Sequence, residues 1–259
     1  MAKGHITLIG GGPGDPELIT VAGYKALLSA DVVLADRLGP TALLADLSDD
    51  VAVIDVGKGP GCHVKTQDET NELLVKYALE GKHVVRLKGG DPFVLGRGGE
   101  EVLYAAKYGI STRVIPGVTS AISVPGAAGI PVTHRGIATG FTVVSGHTEL
   151  ADVPVRSDHT LAVLMGVSNL PLIVETLLTR GLPSSTPIAI VERGYSQTQR
   201  TTIGTLEEIV VRARKAAVAN PAVIVIGDVV RLAPEASDQL VDLLPLENAD
   251  ATEPASFVD

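Results

Sequence analysis

Apolar residues along the chain come in short runs that stop at glycine or charge. Ile6-Thr7-Leu8-Ile9 runs into Gly10-Gly11-Gly12-Pro13-Gly14, Val32 to Leu34 into Asp36-Arg37, Val51 to Val56 into Gly57-Lys58-Gly59, and Val84 to Leu87 into Lys88-Gly89-Gly90-Asp91. Short runs rich in Val and Ile, closed by turn residues, predict strands. Helical stretches lie between them. From Thr66 to Glu80 the residues Leu73, Leu74, Tyr77 and Ala78 repeat on one face, and Thr66 with Glu69 has the spacing of a capping box. Asp15-Pro16 offers an N-cap followed by proline at the first helical position. Strands alternating with helices predict a largely parallel sheet, with ligands in the crevice beyond the carboxyl ends of its strands.

The rhythm restarts after Arg135. Phe141 to Ser145, Leu161 to Met165, Ile188 to Glu192 and Ala222 to Ile226 read as strands, separated by helices over Asn169 to Thr179 and Leu206 to Ala219. The pattern predicts two α/β units, residues 1–135 and 136–244, followed by an acidic tail, 245–259. The Pro/Gly-rich stretch from Pro116 to Gly136 is the predicted junction, and a cleft between two such units is a favoured place for a small-molecule site. Val114 to Thr133 carries no charge, but its prolines and glycines predict buried turns and a short helix instead of a membrane span.

Composition removes several function classes. Aromatic residues make up 3% of the chain and Trp is absent, too little π-surface for base-stacking or carbohydrate platforms. The net charge is -9, yet residues 235–259 hold seven acids and no base, which leaves the rest of the chain nearly neutral and without a basic footprint for nucleic acid. Cys62 is the only cysteine, so an intramolecular disulfide and cysteine-zinc clusters are excluded, and no metal site is expected. His63 beside it reads as part of a loop with a free thiol. A reducing cytoplasm is the expected compartment, since no apolar stretch near the N-terminus has the length of a signal-peptide core.

The first glycine loop is no dinucleotide fingerprint. Counting from Gly10, the third glycine is due where Asp15 stands, and Pro13 removes an amide that such a turn aims at pyrophosphate. A P-loop lysine is missing as well. The segment Lys88 to Phe93, followed by Gly96-Arg97-Gly98-Gly99-Glu100-Glu101, is more informative, because it is dense in both glycine and charge directly after an apolar strand. From the residues alone it is either a ligand loop or a turn leading into a helix whose N-terminus favours Glu100 and Glu101. Asp36 likewise is either an acid-base group or a partner for Arg37, Lys58 either a functional cation or a solvated loop lysine, and Met165 either a contact or a core methionine.

Taken in order, these segments resemble the uroporphyrinogen-III C-methyltransferases, a branch of the tetrapyrrole methylases. The resemblance runs from about Ile6 to Val229. It rests on Gly10 to Pro16, Ala30 to Leu38, Val84 to Phe93, Gly96 to Glu101, Pro116 to Ala121, Gly129 to Arg135, Leu164-Met165-Gly166 and Val191 to Gly194. It implies a two-domain α/β methyltransferase of class III, a homodimer that binds S-adenosylmethionine in the cleft between domains and releases S-adenosylhomocysteine. Pro13, Gly89, Gly90, Asp91, Val94, Thr119, Ser120, Met165 and Gly194 match its cofactor positions. Asp36 matches a proposed proton acceptor, Lys58 a proposed donor, and Arg97 and Glu100 positions of substrate handling. The implied reaction is methylation of uroporphyrinogen III at C2 and C7, giving precorrin-2 through precorrin-1 for sirohaem or cobalamin synthesis. Alternatives are a methyltransferase for a later precorrin and a non-catalytic adenosyl-ligand binder.

Two departures stand out. Ser120 replaces the usual alanine after the binding threonine, and Ala35 replaces an aromatic residue often found before the aspartate. The stand-alone form is expected, with no oxidase or chelatase module attached. Lys58, His63, Lys65, Arg97, His134 and Arg135 are the cations expected to meet the eight carboxylates of such a substrate.

Overall fold

The computed structural model describes residues 2–57, 65–147, 150 and 153–236. Lys58, Cys62, His63 and the tail from 245 lie outside the described residues.

Two five-stranded sheets organise the chain. The first contains β1 (His5–Gly10), β2 (Val32–Ala35), β3 (Ala52–Asp55), β4 (His83–Lys88) and β5 (Ser111–Ile115), in the order β3-β2-β4-β1-β5 with every pair parallel. Its central strands carry apolar residues on both faces because both faces are covered. Ile6, Leu8, Val32, Leu34 and Val84 pack with Leu74, Val75 and Ala78 of α2 (Gln67–Leu79) and Ala105 of α3 (Gly98–Lys107). Ile9, Val33, Val85 and Leu87 point the other way, onto Leu27 of α1 (Val21–Leu28). The capping box at α2 is present: Thr66 Oγ1 accepts from Glu69 N, and Glu69 Oε2 accepts from Thr66 N.

The second sheet holds β6 (Gly140–Ser145), β7 (His159–Leu164), β8 (Pro187–Glu192), β9 (Arg200–Thr205) and β10 (Ala222–Ile226), in the order β6-β7-β10-β8-β9. Only β6 and β7 are parallel; β10 runs antiparallel to both its neighbours, and β9 antiparallel to β8. This second unit is therefore mixed, whereas the alternation of strands and helices suggests a parallel one. The link from Glu192 to Arg200 is too short for a crossover helix, so β9 must return antiparallel. The helix expected over Leu206 to Ala219 shrinks to α6 (Ile209–Lys215), and α5 covers Leu170–Thr179.

The core of the second sheet takes in residues from before position 135. Ala121 and Val124 of α4 (Ser120–Ala127) pack with Ala162, Ala189, Val191 and Val225. On the opposite face Leu161, Val163, Ile188 and Ile190 meet Ile173 and Leu177 of α5 and Ile209 of α6.

Candidate active site

The carboxyl ends of β1, β2, β4 and β5 deliver four loops to one edge of the first sheet. Glycines let them touch. Gly12 and Gly90 exchange backbone hydrogen bonds at 3.2 and 2.6 Å, and Gly11 N donates to Lys88 O at 2.8 Å. Gly10 and Gly117 approach so closely that a Cβ on either would collide with the backbone of the other. Asp91 completes the junction, its Oδ2 accepting from Gly117 N at 3.0 Å and its Oδ1 from Phe93 N at 2.8 Å. Thr119 then caps α4, Oγ1 accepting from Ala121 N.

Across from these loops stands the end of β7. A cavity of about 610 Å³, within the range of small-molecule sites, lies between Pro92, Phe93, Leu95, Arg97 and Gly99 on one side and Ser145, His147 and Met165 on the other. The loops around it are strained. Leu95, Arg97 and Met165, which line the cavity, have positive φ between 54 and 58°, a conformation that costs a side-chain-bearing residue energy and gathers at functional sites; Arg193 and Tyr195, on either side of Gly194, share it at 47 and 64°. Met165 is 41% exposed and lines the cavity rather than sitting in the core. Gly194, between Arg193 and Tyr195, lies against Val124 of α4, where a Cβ would be 2.8 Å from the valine methyls.

Among the expected site residues, Gly89, Gly90, Asp91 and Val94 share one loop, joined to the loop of Pro13 through Gly12 and to that of Thr119 and Ser120 through Gly117. Arg97 and Glu100 line the cavity and form a two-pronged ion pair, Nε to Oε1 at 2.8 Å and Nη2 to Oε2 at 2.7 Å. Each is about half exposed (56% and 53%). The bond from Arg97 holds the Glu100 carboxyl below its ordinary value, and Glu100 in turn raises Arg97. Lys65, His134 and Arg135 do not line this cavity, and His134 Nδ1 is engaged with Arg135 O.

Asp36 follows β2 directly, next to the Gly89 loop. Its Oδ1 accepts from the backbone N–H groups of Leu38, Gly39 and Gly89 at 3.1 to 3.2 Å. Its Oδ2 faces Arg86 Nη2 at 3.2 Å; Arg37, its neighbour in sequence, pairs instead with Asp55.

Behind Asp36 lies a buried charge network absent from the sequence expectations. Arg86 Nε and Lys88 Nζ both reach Glu101 Oε1 at 3.1 Å, and Gln67 Nε2 donates to the same oxygen at 3.2 Å. Burial holds Lys88 below the ordinary lysine range; the Arg86 charge adds to this, and Glu101 opposes it. A signal for the network was present, since Arg86 and Lys88, two apart on a strand, must share one face.

The donor set suits an adenosyl ligand, rich in backbone amides and carbonyls with few obstructing side chains. Gly99 lines the cavity with open space where its Cβ would stand, and Gly90 holds its missing Cβ toward Ser120 N. No group of three or more potential metal ligands occurs among the described residues.

The sequence profile of the Tetrapyrrole (Corrin/Porphyrin) Methylases matches residues 5–210. The chain belongs to the tetrapyrrole methylase family. A uroporphyrinogen-III C-methyltransferase of Methanocaldococcus jannaschii is 50% identical over 236 residues, 88% of this chain and 98% of that protein. The crystal structure of a Thermus thermophilus uroporphyrin-III C-methyltransferase, complexed with S-adenosylhomocysteine, is 42% identical, has a TM-score of 0.76, and is matched over 88% of this chain and 100% of that one. A cobalt-precorrin-4 methyltransferase structure has the same TM-score, 0.76, at 26% identity over 87% of this chain and 95% of that one. Within the family, then, fold alone does not choose the tetrapyrrole.

Proposed function

We propose that this chain is an S-adenosylmethionine-dependent C-methyltransferase that converts uroporphyrinogen III into precorrin-2 through precorrin-1, methylating C2 and then C7 or the reverse. The observation that carries this reading is the pairing of the glycine-built junction around Gly90 and Gly117 with the Arg97–Glu100 cavity, in a chain half identical to a protein of that name.

Pro13, Gly89, Gly90, Asp91, Val94, Thr119, Ser120, Met165 and Gly194 hold the cofactor, largely through backbone groups, so its orientation is set by loop geometry rather than by side-chain charge. Bound there, it supplies a methyl group already activated on a sulfonium. The protein's tasks are in-line positioning and proton management. As the new C–C bond draws its electron pair from the tetrapyrrole, the pair of the broken S–C bond stays on sulfur. The methylated ring must then lose a proton. Asp36 is the acceptor through Oδ2, because Oδ1 is already occupied by three amides. Lys58 is the matching donor, while Arg97 and Glu100 meet the substrate at the mouth of the cavity, with carboxylates competing for the guanidinium that Glu100 holds.

The active form is a cytoplasmic homodimer serving sirohaem or cobalamin synthesis. No helix among the described residues is long and apolar enough to cross a membrane. The two units divide near Pro116 to Val118, ahead of residue 135, because α4 shares its core with the second sheet.

Anaerobic incubation with uroporphyrinogen III and S-adenosylmethionine, followed by mass and visible absorbance, tests the reading. Gain of two methyl groups with release of S-adenosylhomocysteine is expected. Cofactor binding without methyl gain moves the assignment to a later precorrin or a non-catalytic binder.

A further inference from the structure

Asp36 is the end of a chain of contacts rather than an isolated carboxylate. Three backbone amides occupy Oδ1, so the direction of Oδ2 depends on the group that meets it, Arg86 Nη2 at 3.2 Å. Arg86 itself has little freedom. Its Nη1 donates to Leu34 O at 3.3 Å and Leu87 O at 2.7 Å, and its Nε to Glu101 Oε1 at 3.1 Å. Its side chain is 7% exposed and that of Glu101 0%. Glu101 Oε1 collects Arg86, Lys88 and Gln67, which fixes the acid from β4 and from the start of α2.

As a purely structural device this cluster is a poor one. Buried ion pairs rarely stabilise more than apolar residues of the same volume, because desolvation consumes the Coulombic gain. The first sheet fills the rest of its core with Val, Leu and Ile. What the cluster does accomplish is geometric: it fixes all but one arm of a planar fork and turns the remaining arm onto Asp36.

We propose that Arg86 and Glu101 are positioning residues for methyl transfer, with Arg86 aiming Oδ2 of Asp36 at the substrate and Glu101 holding Arg86 in that pose. This rests on Asp36 being the proton acceptor. Lysine at position 86 keeps the charge but not the fork, and a single ammonium cannot serve Glu101, two carbonyls and Asp36 together.

The test compares Asp36→Asn, Arg86→Lys, Glu101→Gln and the pair Asp36→Asn/Arg86→Lys by steady-state turnover, S-adenosylhomocysteine affinity and thermal unfolding. Misplacing a reacting group slightly can cost about 100-fold in rate. Arg86→Lys is therefore expected to lower kcat by about 100-fold, with KM for S-adenosylmethionine and S-adenosylhomocysteine affinity within about 3-fold of the parent. The double variant should be no slower than Asp36→Asn alone, since Arg86 acts only through that carboxylate. A structural role predicts the opposite: losses that multiply in the double variant and track thermal stability. If Arg86→Lys does not fold, Glu101→Gln, nearly isosteric, carries the same comparison with Asp36→Asn. Normal kcat in Arg86→Lys or Glu101→Gln, beside a slow Asp36→Asn, overturns the positioning role alone. Full turnover in Asp36→Asn overturns the acceptor reading and, with it, this one.

Discussion

Asp91 and Gly117 join the loops after β4 and β5 with a single bond, Oδ2 of the aspartate accepting from the glycine N–H at 3.0 Å. The other oxygen, Oδ1, accepts from Phe93 N at 2.8 Å, so one carboxylate orders both its own loop and the next. Hydrogen bonds to a charged acceptor contribute about 1.5–3 kcal/mol each. Asp91→Ala should weaken S-adenosylhomocysteine binding at least about 10-fold, as calorimetry would register. Asp91→Asn, which keeps one acceptor oxygen, should lose less.

Gly117 tolerates no side chain. A Cβ there would overlap the carbonyl of Gly90 and the backbone of Gly10, neither of which can rotate away. Gly117→Ala is expected to destabilise the protein by about 3 kcal/mol and lower its Tm by about 10 °C. A Tm within a degree or two of the parent would show that the junction is looser than its geometry.

Met165 holds a left-handed conformation, with φ at 57°, although it carries a long side chain. Relief of that strain sets stability against binding. Met165→Gly should leave Tm unchanged or raise stability by up to about 1 kcal/mol, while weakening S-adenosylhomocysteine binding measurably. Loss of both together would place the side chain in the core.

At the opposite end of the first sheet, His5 stacks on His83 with ring centroids 4.1 Å apart. His83 Nδ1 bonds Ser29 O and its Nε2 meets Thr7 Oγ1, while Asp31 takes the His83 N–H. Burial, then the adjacent His83, lowers the His5 pKa below its usual 6.5, with Asp31 opposing. The unfolded chain therefore binds more protons between the folded and unfolded values, and stability rises with pH across that window. The contribution is complete above 6.5 and is lost as pH falls through the folded value. The effect is small for so exposed a ring. Thermal melts from pH 5 to 7.5 should show a shallower slope for His5→Gln than for the parent.

The interior strands were legible because burial on both faces leaves a largely apolar run, as in Val32 to Leu34 and Ile188 to Val191. The strands that escaped the pattern, β5 and β9, are edge strands. Ser111-Thr112-Arg113-Val114-Ile115 and Arg200 to Thr205 meet water along one side and bury little. The reversed direction of β10 has no local signature at all, since strand polarity is decided by distant partners. At the site, glycine loops announced themselves by composition and order. The Arg86–Glu101 pair did not, because Glu101 reads as an ordinary first-turn acid of a helix until the fold turns it inward.

Helix α4 begins at the cleft and ends inside the second core. Thr119 and Ser120 consequently belong with Met165 and Gly194 to the second unit, and the loops of Pro13 and of Gly89 to Val94 to the first, with Gly117 at the join between them. A ligand held by both units, as proposed for the cofactor, would be a staple, and what it gains by binding would also resist their unfolding. At a free concentration a hundred times its dissociation constant it adds about 2.7 kcal/mol against unfolding. A molecule deprived of that staple is the one that heat and proteases reach first.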